Sequence, residues 1–460
     1  MLIFNEYIDK VSNEFKDSRI KEKVGTFFKR IIENRTIKLW RFSDDRNEFE
    51  RNKNLINGKL KTVLDDKKIS EALIKNSVEK VAGNKRIYIL SDHSDIRKQY
   101  TTASENLGKV RDLNGNIING NTVLGSVILD ESKQDITLSN ITVFSNGEKN
   151  FVTVKELKDY ENNKIKDDTR RAEIQSAIED DSYINMRNTL EKHLTEQSVA
   201  LKKENPNISI CHVHDRGEDS IEYLEFIKDT LGDDTVVRAK KSRNSTQYTI
   251  NPKTKRKNYI KLIDSKFKHK SEYHIDKLTL KGKLYQQVKV TLEWDKLNLN
   301  KYDYSVVKIT LLKRNGTKIY NEPMLLITTI DVANKSIAKE IYHTYLLRVK
   351  IEGVFKFLKD VLGWEEFQVR DWESIKNIIA ICFFIGGYFY EIKSELTNNE
   401  TIIMICDLAK SKGKITHYFF LEGMRVLLTA HRVDLFRKKR NISDKFFAEM
   451  QAYAGIGVEF

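Results

Sequence analysis

One helical segment holds four side chains that together could bind phosphate groups and a metal ion. Tyr345, Arg348, Glu352 and Lys359 lie in a helical pattern of apolar residues that runs from about 336 to 362. At about 100° per residue, their spacing places them within roughly a 60° arc of the helix surface. A carboxylate can hold a metal ion, while a hydroxyl, a guanidinium and an ammonium can hold phosphates. The pattern therefore indicates one side of a phosphoryl-transfer site.

A second interpretation of the same segment is an ordinary solvated helix surface. Arg348 and Glu352 are four residues apart, as are Glu352 and Lys356. Such spacing is typical of surface ion pairs. Residues elsewhere in the chain are needed to choose between the two interpretations.

Two aspartates complete a possible metal site. Asp92 follows the apolar run 86–91 and Asp215 follows the run 208–214, so we expect each to lie just past the end of a strand. Taken singly, an aspartate there is most often a turn former. On neighbouring strands, the two would meet each other and Glu352. Three crowded carboxylates repel one another unless cations are present, and two Mg²⁺ ions about 3.5–4 Å apart, or Mn²⁺ in their place, would meet that need.

The order of predicted elements favours an α/β fold with an RNase H-like mixed sheet as its catalytic core. Three strands are followed by a charged, helical segment, and then by a strand, a helix and another strand. The strands are predicted at 86–92, 122–129, 136–144, 208–214 and 235–239, and the helix before the last of them at 219–231.

A β-rich insertion is predicted between 245 and 319. Val288, Val290, Leu292 and Trp294 alternate with polar residues, and this period of two is typical of a strand with one buried face. The basic patch 253–270 predicts that the insertion faces DNA. A strand at 324–329 then returns to the core and leads into the helix described above, with Asn334 as its N-cap.

Composition and charge indicate what kind of partner the chain binds and in which kind of compartment it works. The 460 residues carry a formal net charge of +14, which favours a polyanion over the alternative of a merely solvated lysine coat. The three cysteines (Cys211, Cys382 and Cys406) fit neither a disulfide framework nor a zinc site and indicate a reducing compartment. Met1 leads into a polar, charged helical segment, so we expect no signal peptide. We also expect no membrane partner, because the longest apolar run, 378–390, is too short to span a bilayer and predicts a buried helix.

The spacing Tyr-x2-Arg-x3-Glu-x6-Lys resembles, without a gap, the YREK signature of IS4-family DDE transposases. Segment 89–95 resembles the first catalytic segment of that family, and segment 214–219 resembles the second, with a substitution at Gly217. Segment 40–42 resembles an aromatic and basic patch in the N-terminal domain of that family. Segment 237–240 resembles the family's basic strand after the second aspartate. The resemblance covers roughly residues 10–395.

The resemblance implies a cut-and-paste transposase that acts on double-stranded DNA as a homodimer in the bacterial cytoplasm, associated with the nucleoid. Asp92, Asp215 and Glu352 would be the catalytic metal ligands. Tyr345, Arg348 and Lys359 would contact phosphates at the cleaved strand end, with Arg216, Arg238 and Lys240 as further backbone contacts. The implied regions are a helical N-terminal end-binding domain (1–84), the core (85–244), the insertion (245–319), the second part of the core with the YREK helix (320–395), and a C-terminal helical dimerisation or DNA-contact region (396–460).

One position departs from the family pattern. Members commonly carry a tryptophan just before the YREK helix, where it stacks on a flipped base, but this chain has Met324 there. A methionine packs against a base with less surface than an indole. The resemblance implies that one strand is nicked, that its 3′-hydroxyl attacks the opposite strand to form a hairpin, and that the hairpin is opened before strand transfer. The departure at Met324 bears on the hairpin step and leaves the implied metal site unaffected.

Other functions remain open at this point. His93, Cys211, His212 and His214 are residue types from which a zinc or manganese hydrolase could be built. His212 and His214 should face away from Asp215, however, because side chains alternate along a strand. A domesticated or transposition-inactive DNA-binding protein and a structure-specific nuclease are further alternatives on the same core.

Overall fold

The computed structural model describes residues 4–13, 17–57, 64–280, 283–299, 301–392 and 399–453. Parts of the predicted regions 1–84, 245–319, 320–395 and 396–460 fall in the gaps and lie outside the described residues. The chain forms two compact units, which we call the helical unit (Met1–Ile69 with Phe357–Phe460) and the sheet unit (Ser70–Lys356).

The helices and strands follow one another along both units. The helices are α1 Phe4–Ser12, α2 Ser18–Asn34, α3 Leu39–Phe42, α4 Arg46–Ile56, α5 Asp66–Lys80, α6 Val154–Glu161, α7 Asp168–Glu179, α8 Met186–Glu204, α9 Ile221–Glu225, α10 Lys335–Leu346, α11 Val349–Val361, α12 Trp372–Glu391, α13 Glu400–Leu408, α14 His417–Lys439 and α15 Asp444–Tyr453. The strands are β1 Arg86–Arg97, β2 Gly108–Arg111, β3 Ile117–Leu129, β4 Ile136–Phe144, β5 Ser209–His214, β6 Asp234–Arg238, β7 Asn244–Ile250, β8 Lys257–Lys261, β9 His269–Leu280, β10 Lys283–Leu299, β11 Tyr302–Leu312 and β12 Met324–Thr328.

The sheet unit has the mixed-sheet core that the order of elements predicts. β4 pairs antiparallel with β3, and β3 with β1, while β5 runs parallel to both β1 and β6. The predicted helix at 219–231 is present as α9 continued by a π-helical turn, Phe226–Leu231. This is the RNase H-like arrangement, so the predicted fold class is confirmed.

The inserted strands extend this sheet. β9, β10 and β11 form a meander that joins β12, and β12 pairs antiparallel with β6. The described strands of this sheet therefore form one ten-stranded layer, and β7 and β8 pair separately. The period-two pattern of β10 is confirmed, because Val288, Val290 and Leu292 are fully buried and Trp294 is nearly so.

The predicted single helix from 336 to 362 is wrong in one respect, because it breaks into α10 and α11. Leu347 and Arg348 form a tight turn in which the Arg348 N–H bonds the Tyr345 carbonyl and the Lys350 N–H bonds the Leu347 carbonyl. These three-residue bonds replace the four-residue bonds of an α-helix, so the regular helix is interrupted here. Asn334 is the N-cap of α10 as predicted, since its side chain accepts bonds from the amides of Ser336 and Ile337.

The helical unit is organised around α12. Residues 378–390 are buried throughout, which confirms the predicted buried helix. The Tyr7 hydroxyl bonds the Phe384 carbonyl at 2.9 Å, and the Phe28 ring lies 5.8 Å from the Phe384 ring. N-terminal and C-terminal helices thus share one core. Among the described residues, no helix is both long enough and apolar enough to cross a membrane.

Replacing Asn334 tests the cap that starts the site-bearing helix. Asn334→Ala should lower the free energy of unfolding by about 1 kcal/mol, because two amides of the first turn lose their acceptor. Asn334→Asp keeps an acceptor oxygen and should stay within a few tenths of a kcal/mol of the parent. Urea unfolding followed by circular dichroism measures both, and equal stabilities for the two variants would show that the cap contributes nothing.

Candidate active site

The strand register places Asp92 and Asp215 beside each other. Pairing between β1 and β5 ends at Leu90 and Val213, and the two aspartates each lie two residues further on. Side chains two residues apart share a face of a strand, so the carboxylates lie at the same level and on the same face. The prediction that Asp92 follows a strand end is wrong, because β1 continues to Arg97 by pairing with β3. Only the parallel pairing of β1 with β5 ends before Asp92.

Asp215 is held by the last turn of α10. It directly follows β5, and the Tyr345 hydroxyl donates a hydrogen bond of 3.1 Å to its Oδ1. Burial raises the pKa of Asp215, but the N–H of Arg216, the charge of Arg348 and the Tyr345 hydroxyl outweigh it and lower the pKa below its usual value. Asp215 is therefore an ionised carboxylate at neutral pH.

Arg348 joins the other two acids. Its guanidinium lies 2.7 Å from Oδ2 of Asp92 and forms a second, very close ion pair with Glu352 Oε1. The expected surface pair with Glu352 does exist, but Arg348 also contacts a residue 256 positions away in the chain. Arg348 itself lies in the turn between α10 and α11. The site thus brings together Asp92, Asp215, Tyr345, Arg348 and Glu352.

Crowding of the acids is visible in the protonation of Asp92. Its pKa is raised to about 6, chiefly by burial and to a smaller degree by the charges of Asp215 and Glu352, against the opposing effects of Arg348 and the His93 N–H. Repulsion among neighbouring carboxylates is the condition under which a bound cation is most favourable.

The further predicted DNA contacts lie on several different elements. Arg238, at the end of β6, lies near enough for its charge to help lower the pKa of Asp215 and to oppose the burial that raises the pKa of Tyr345. Arg216 follows Asp215 and has a buried Nε without a hydrogen-bond partner. The exposed Lys240 donates its backbone N–H to Asp219, and Met324 opens β12 opposite Ile309. Lys359 belongs to the helical unit, where its ammonium lies 3.3 Å from Glu365.

Glu218 is a site residue that sequence reasoning missed. It lies in the short 3₁₀ turn after Asp215, and its carboxylate is 4.0 Å from Nδ1 of His93. Burial raises the pKa of Glu218 to about 7, with Lys240 opposing and the Asp92 charge adding to the rise. The only signal in the sequence was its place in an acidic segment directly after a strand.

The histidines do not form the alternative hydrolase site. His212 lies 3.0 Å from Asp233, which precedes β6 and so lies at the end of the sheet opposite Asp215. His214 packs edge-on against Tyr223, with ring centroids 5.1 Å apart. Both are buried on the side of the strand that their alternation predicts.

The donor chemistry of the three acids fits a divalent cation that prefers oxygen ligands. Asp92 and Glu352 reach the same guanidinium, and Asp215 is near enough to raise the pKa of Asp92. Within the described ranges, however, no three acidic, imidazole or thiol groups are already arranged to hold a metal ion. Arg348 currently fills the space that Asp92 and Glu352 share.

Comparison with known families bears on this arrangement. Residues 169–385 match the family described as the transposase DDE domain, a range that includes Asp215 and Glu352 and begins after Asp92. The match supports a DDE transposase. Such domains imply DNA binding and generally use divalent metal ions. A search of curated proteins finds no match.

The pH dependence of stability tests the environment of the two aspartates. Folded Asp92 keeps its proton up to about pH 6, whereas the unfolded chain releases it near pH 4, so the folded protein loses stability as pH rises between these values. Asp92→Asn removes this loss. Relative to the parent, its free energy of unfolding should therefore rise from pH 4 to pH 7 by up to about 3 kcal/mol.

Asp215→Asn is the matched comparison, with the opposite sign. Its lowered pKa contributes stability above the unfolded pKa that is lost as pH falls, so the relative stability of this variant should decline as pH rises through about 4. Unfolding by urea across the pH range measures both. Parallel curves for the two variants would contradict the assigned environments.

Proposed function

We propose that this chain is a cut-and-paste DNA transposase of the IS4 family. It binds the inverted-repeat ends of its element, cleaves them by phosphoryl transfer and joins the 3′-hydroxyl ends to target DNA. The observation that carries the proposal is the convergence of Asp92, Asp215 and Glu352, through Arg348, at the edge of an RNase H-like sheet. The transposase DDE match over residues 169–385 supports it independently.

Each acid has a distinct anchor in the proposed chemistry. Asp92 projects from β1, Asp215 from the end of β5 and Glu352 from the first turn of α11. Two Mg²⁺ ions held by these residues, or Mn²⁺ in their place, would activate the attacking oxygen and stabilise the leaving oxygen. Attack on phosphorus breaks one P–O bond as another forms. Tyr345 maintains Asp215 in its orientation through the 3.1 Å hydrogen bond.

Basic side chains are proposed to hold the DNA backbone. Arg348 and Lys359 bind phosphates at the cleaved end together with Tyr345, and Arg216, Arg238 and Lys240 bind the flanking backbone. The net charge of +14 supports a polyanionic partner. Residues 1–84 serve end binding, 396–460 serve dimerisation, and a homodimer in the bacterial cytoplasm acts on two ends together.

The hairpin intermediate of the family's reaction is also part of the proposal. Met324 is the first residue of β12 and is partly buried, and β12 pairs with β6, which ends two residues before Lys240. Its thioether offers a flipped base an apolar contact but a smaller surface than an indole. We expect hairpin formation to be the slowest part of end cleavage in this chain.

Alanine replacement of the three acids tests the proposed function. Asp92→Ala, Asp215→Ala and Glu352→Ala should each reduce Mg²⁺-dependent cleavage on the order of 1,000-fold or more, because each removes a metal ligand. The assay follows cleavage of a plasmid that carries the gene with its flanking DNA. Asp95→Ala on β1 and Glu340→Ala on α10 are controls from the same elements and should retain cleavage.

The outcomes separate the proposal from its alternatives. Cleavage that survives all three replacements would refute the metal site, and rescue of chelated enzyme by zinc alone would favour a hydrolase. End binding without any cleavage by the parent chain would favour a DNA-binding protein. Cleavage without joining, on branched DNA only, would favour a structure-specific nuclease.

Salt dependence tests the backbone contacts. Lys240 lies at the site edge, whereas its neighbour Lys241 forms a close ion pair with Glu322. Lys240→Gln should lower the slope of log affinity against log salt by about 0.9, the effect expected for one lost phosphate contact on duplex DNA. Lys241→Gln is the matched control and should leave the slope unchanged in filter-binding titrations. Equal slopes for all three proteins would remove Lys240 from the interface.

A further inference from the structure

Arg348 occupies two of the carboxylates that a metal ion would need. Its two terminal nitrogens divide between Asp92 Oδ2, at 2.7 Å, and Glu352 Oε1, in closer contact. Only 16% of the side chain is exposed. A planar guanidinium with one acid on each nitrogen is a strong and geometrically specific ion pair. The residue is therefore an internal counterion of the acids.

The charge of Arg348 acts on both aspartates. It opposes the burial that raises the pKa of Asp92, and it helps to lower the pKa of Asp215. Conversely, Asp92, Asp215 and Glu352 together raise the pKa of Arg348 against the effect of its burial. The ion pair thus partly relieves the repulsion that a bound cation would otherwise relieve.

A divalent cation and the guanidinium cannot hold the same oxygens together. Both are positive and compete for the same two carboxylates: Arg348 holds Asp92 Oδ2 and Glu352 Oε1, and the other oxygen of Asp92 already accepts the His93 N–H. The absence of a ready three-donor cluster among the described residues agrees with Arg348 holding these two acids. The Tyr345 hydroxyl on Asp215 is different, because it is neutral and donates to one oxygen of that carboxylate.

We propose that Arg348 competes with the divalent metal for Asp92 and Glu352, and that a DNA phosphate draws Arg348 away from them. The inference rests on the proposed function, since it takes the three acids as the metal site. It adds that DNA binding and metal binding strengthen each other. By linkage, the factor by which DNA tightens metal binding equals the factor by which metal tightens DNA binding. The chain would thereby load its metals preferentially when DNA is in place, which limits metal-dependent chemistry without a substrate.

Metal binding to variants of Arg348 tests the competition directly. Mn²⁺ binding is measured by electron paramagnetic resonance on the full chain, with and without a duplex carrying one gene-flanking end, and with the duplex alone as blank. Without DNA, Arg348→Gln should bind Mn²⁺ about tenfold more tightly than the parent, within the usual range of coupling between two sites. With DNA, the parent should approach this affinity, while the variant gains little.

Two further variants control for charge and for folding. Arg238→Gln also removes a positive charge near Asp215, but no ion pair joins it to Asp92 or Glu352, so its Mn²⁺ affinity should stay within about twofold of the parent. Arg348→Lys retains a charge without the planar fork and should fall between parent and Arg348→Gln. It also provides a second measurement if the glutamine variant folds poorly.

The possible failures are distinguishable. If Asp92→Asn abolishes Mn²⁺ binding while Arg348→Gln binds no more tightly than the parent, the metal site stands and the competition is refuted. If Arg238→Gln and Arg348→Gln bind Mn²⁺ equally more tightly than the parent, the effect is one of general positive charge, and the competition is again refuted. If the parent binds no Mn²⁺ even with DNA, both this inference and the proposed metal chemistry fail.

Discussion

Repulsion among three carboxylates at one edge of a sheet is the constraint on which the rest of the site depends. Asp92, Asp215 and Glu352 come from three different elements, and burial together with mutual repulsion raises the pKa of Asp92 to about 6. Such a cluster destabilises the fold unless positive charge accompanies it. Arg348 supplies that charge within the chain. In our proposal, the same need is what favours a divalent cation at the cluster.

The sheet brings the two aspartates together, and the segment around the turn between α10 and α11 supplies the arginine that offsets their repulsion. The parallel pairing of β1 and β5 ends two residues before each aspartate, which sets their carboxylates side by side. Arg348 lies in the tight turn between α10 and α11 and contacts Asp92 on β1, while Glu352 is one helical turn further on. Tyr345, just before the turn, reaches Asp215. Side chains spaced along one segment thus meet two strands that are more than a hundred residues apart in the chain.

Local pattern predicted much of this arrangement, and long-range contacts account for what it missed. Periodicity and capping chemistry predicted the strand 136–144, the alternating residues of β10, the Asn334 cap and the side of β5 on which His212 lies. The order of strands and helices was enough to predict the RNase H-like core. The extension of β1 depends on its pairing with β3, and the break at Arg348 accompanies an ion pair with Asp92; neither partner is visible in local sequence. Glu218 was missed because burial of a loop carboxylate is a tertiary property.

The claim that the three acids bind metal while Arg348 binds a DNA phosphate is tested most directly by anomalous diffraction. The measurement locates Mn²⁺ in crystals of the chain with an end duplex. We expect anomalous peaks for Mn²⁺ coordinated by Asp92, Asp215 and Glu352, with the Arg348 guanidinium on a DNA phosphate. Peaks elsewhere, or none at these acids while Arg348 still bridges Asp92 and Glu352, would contradict it.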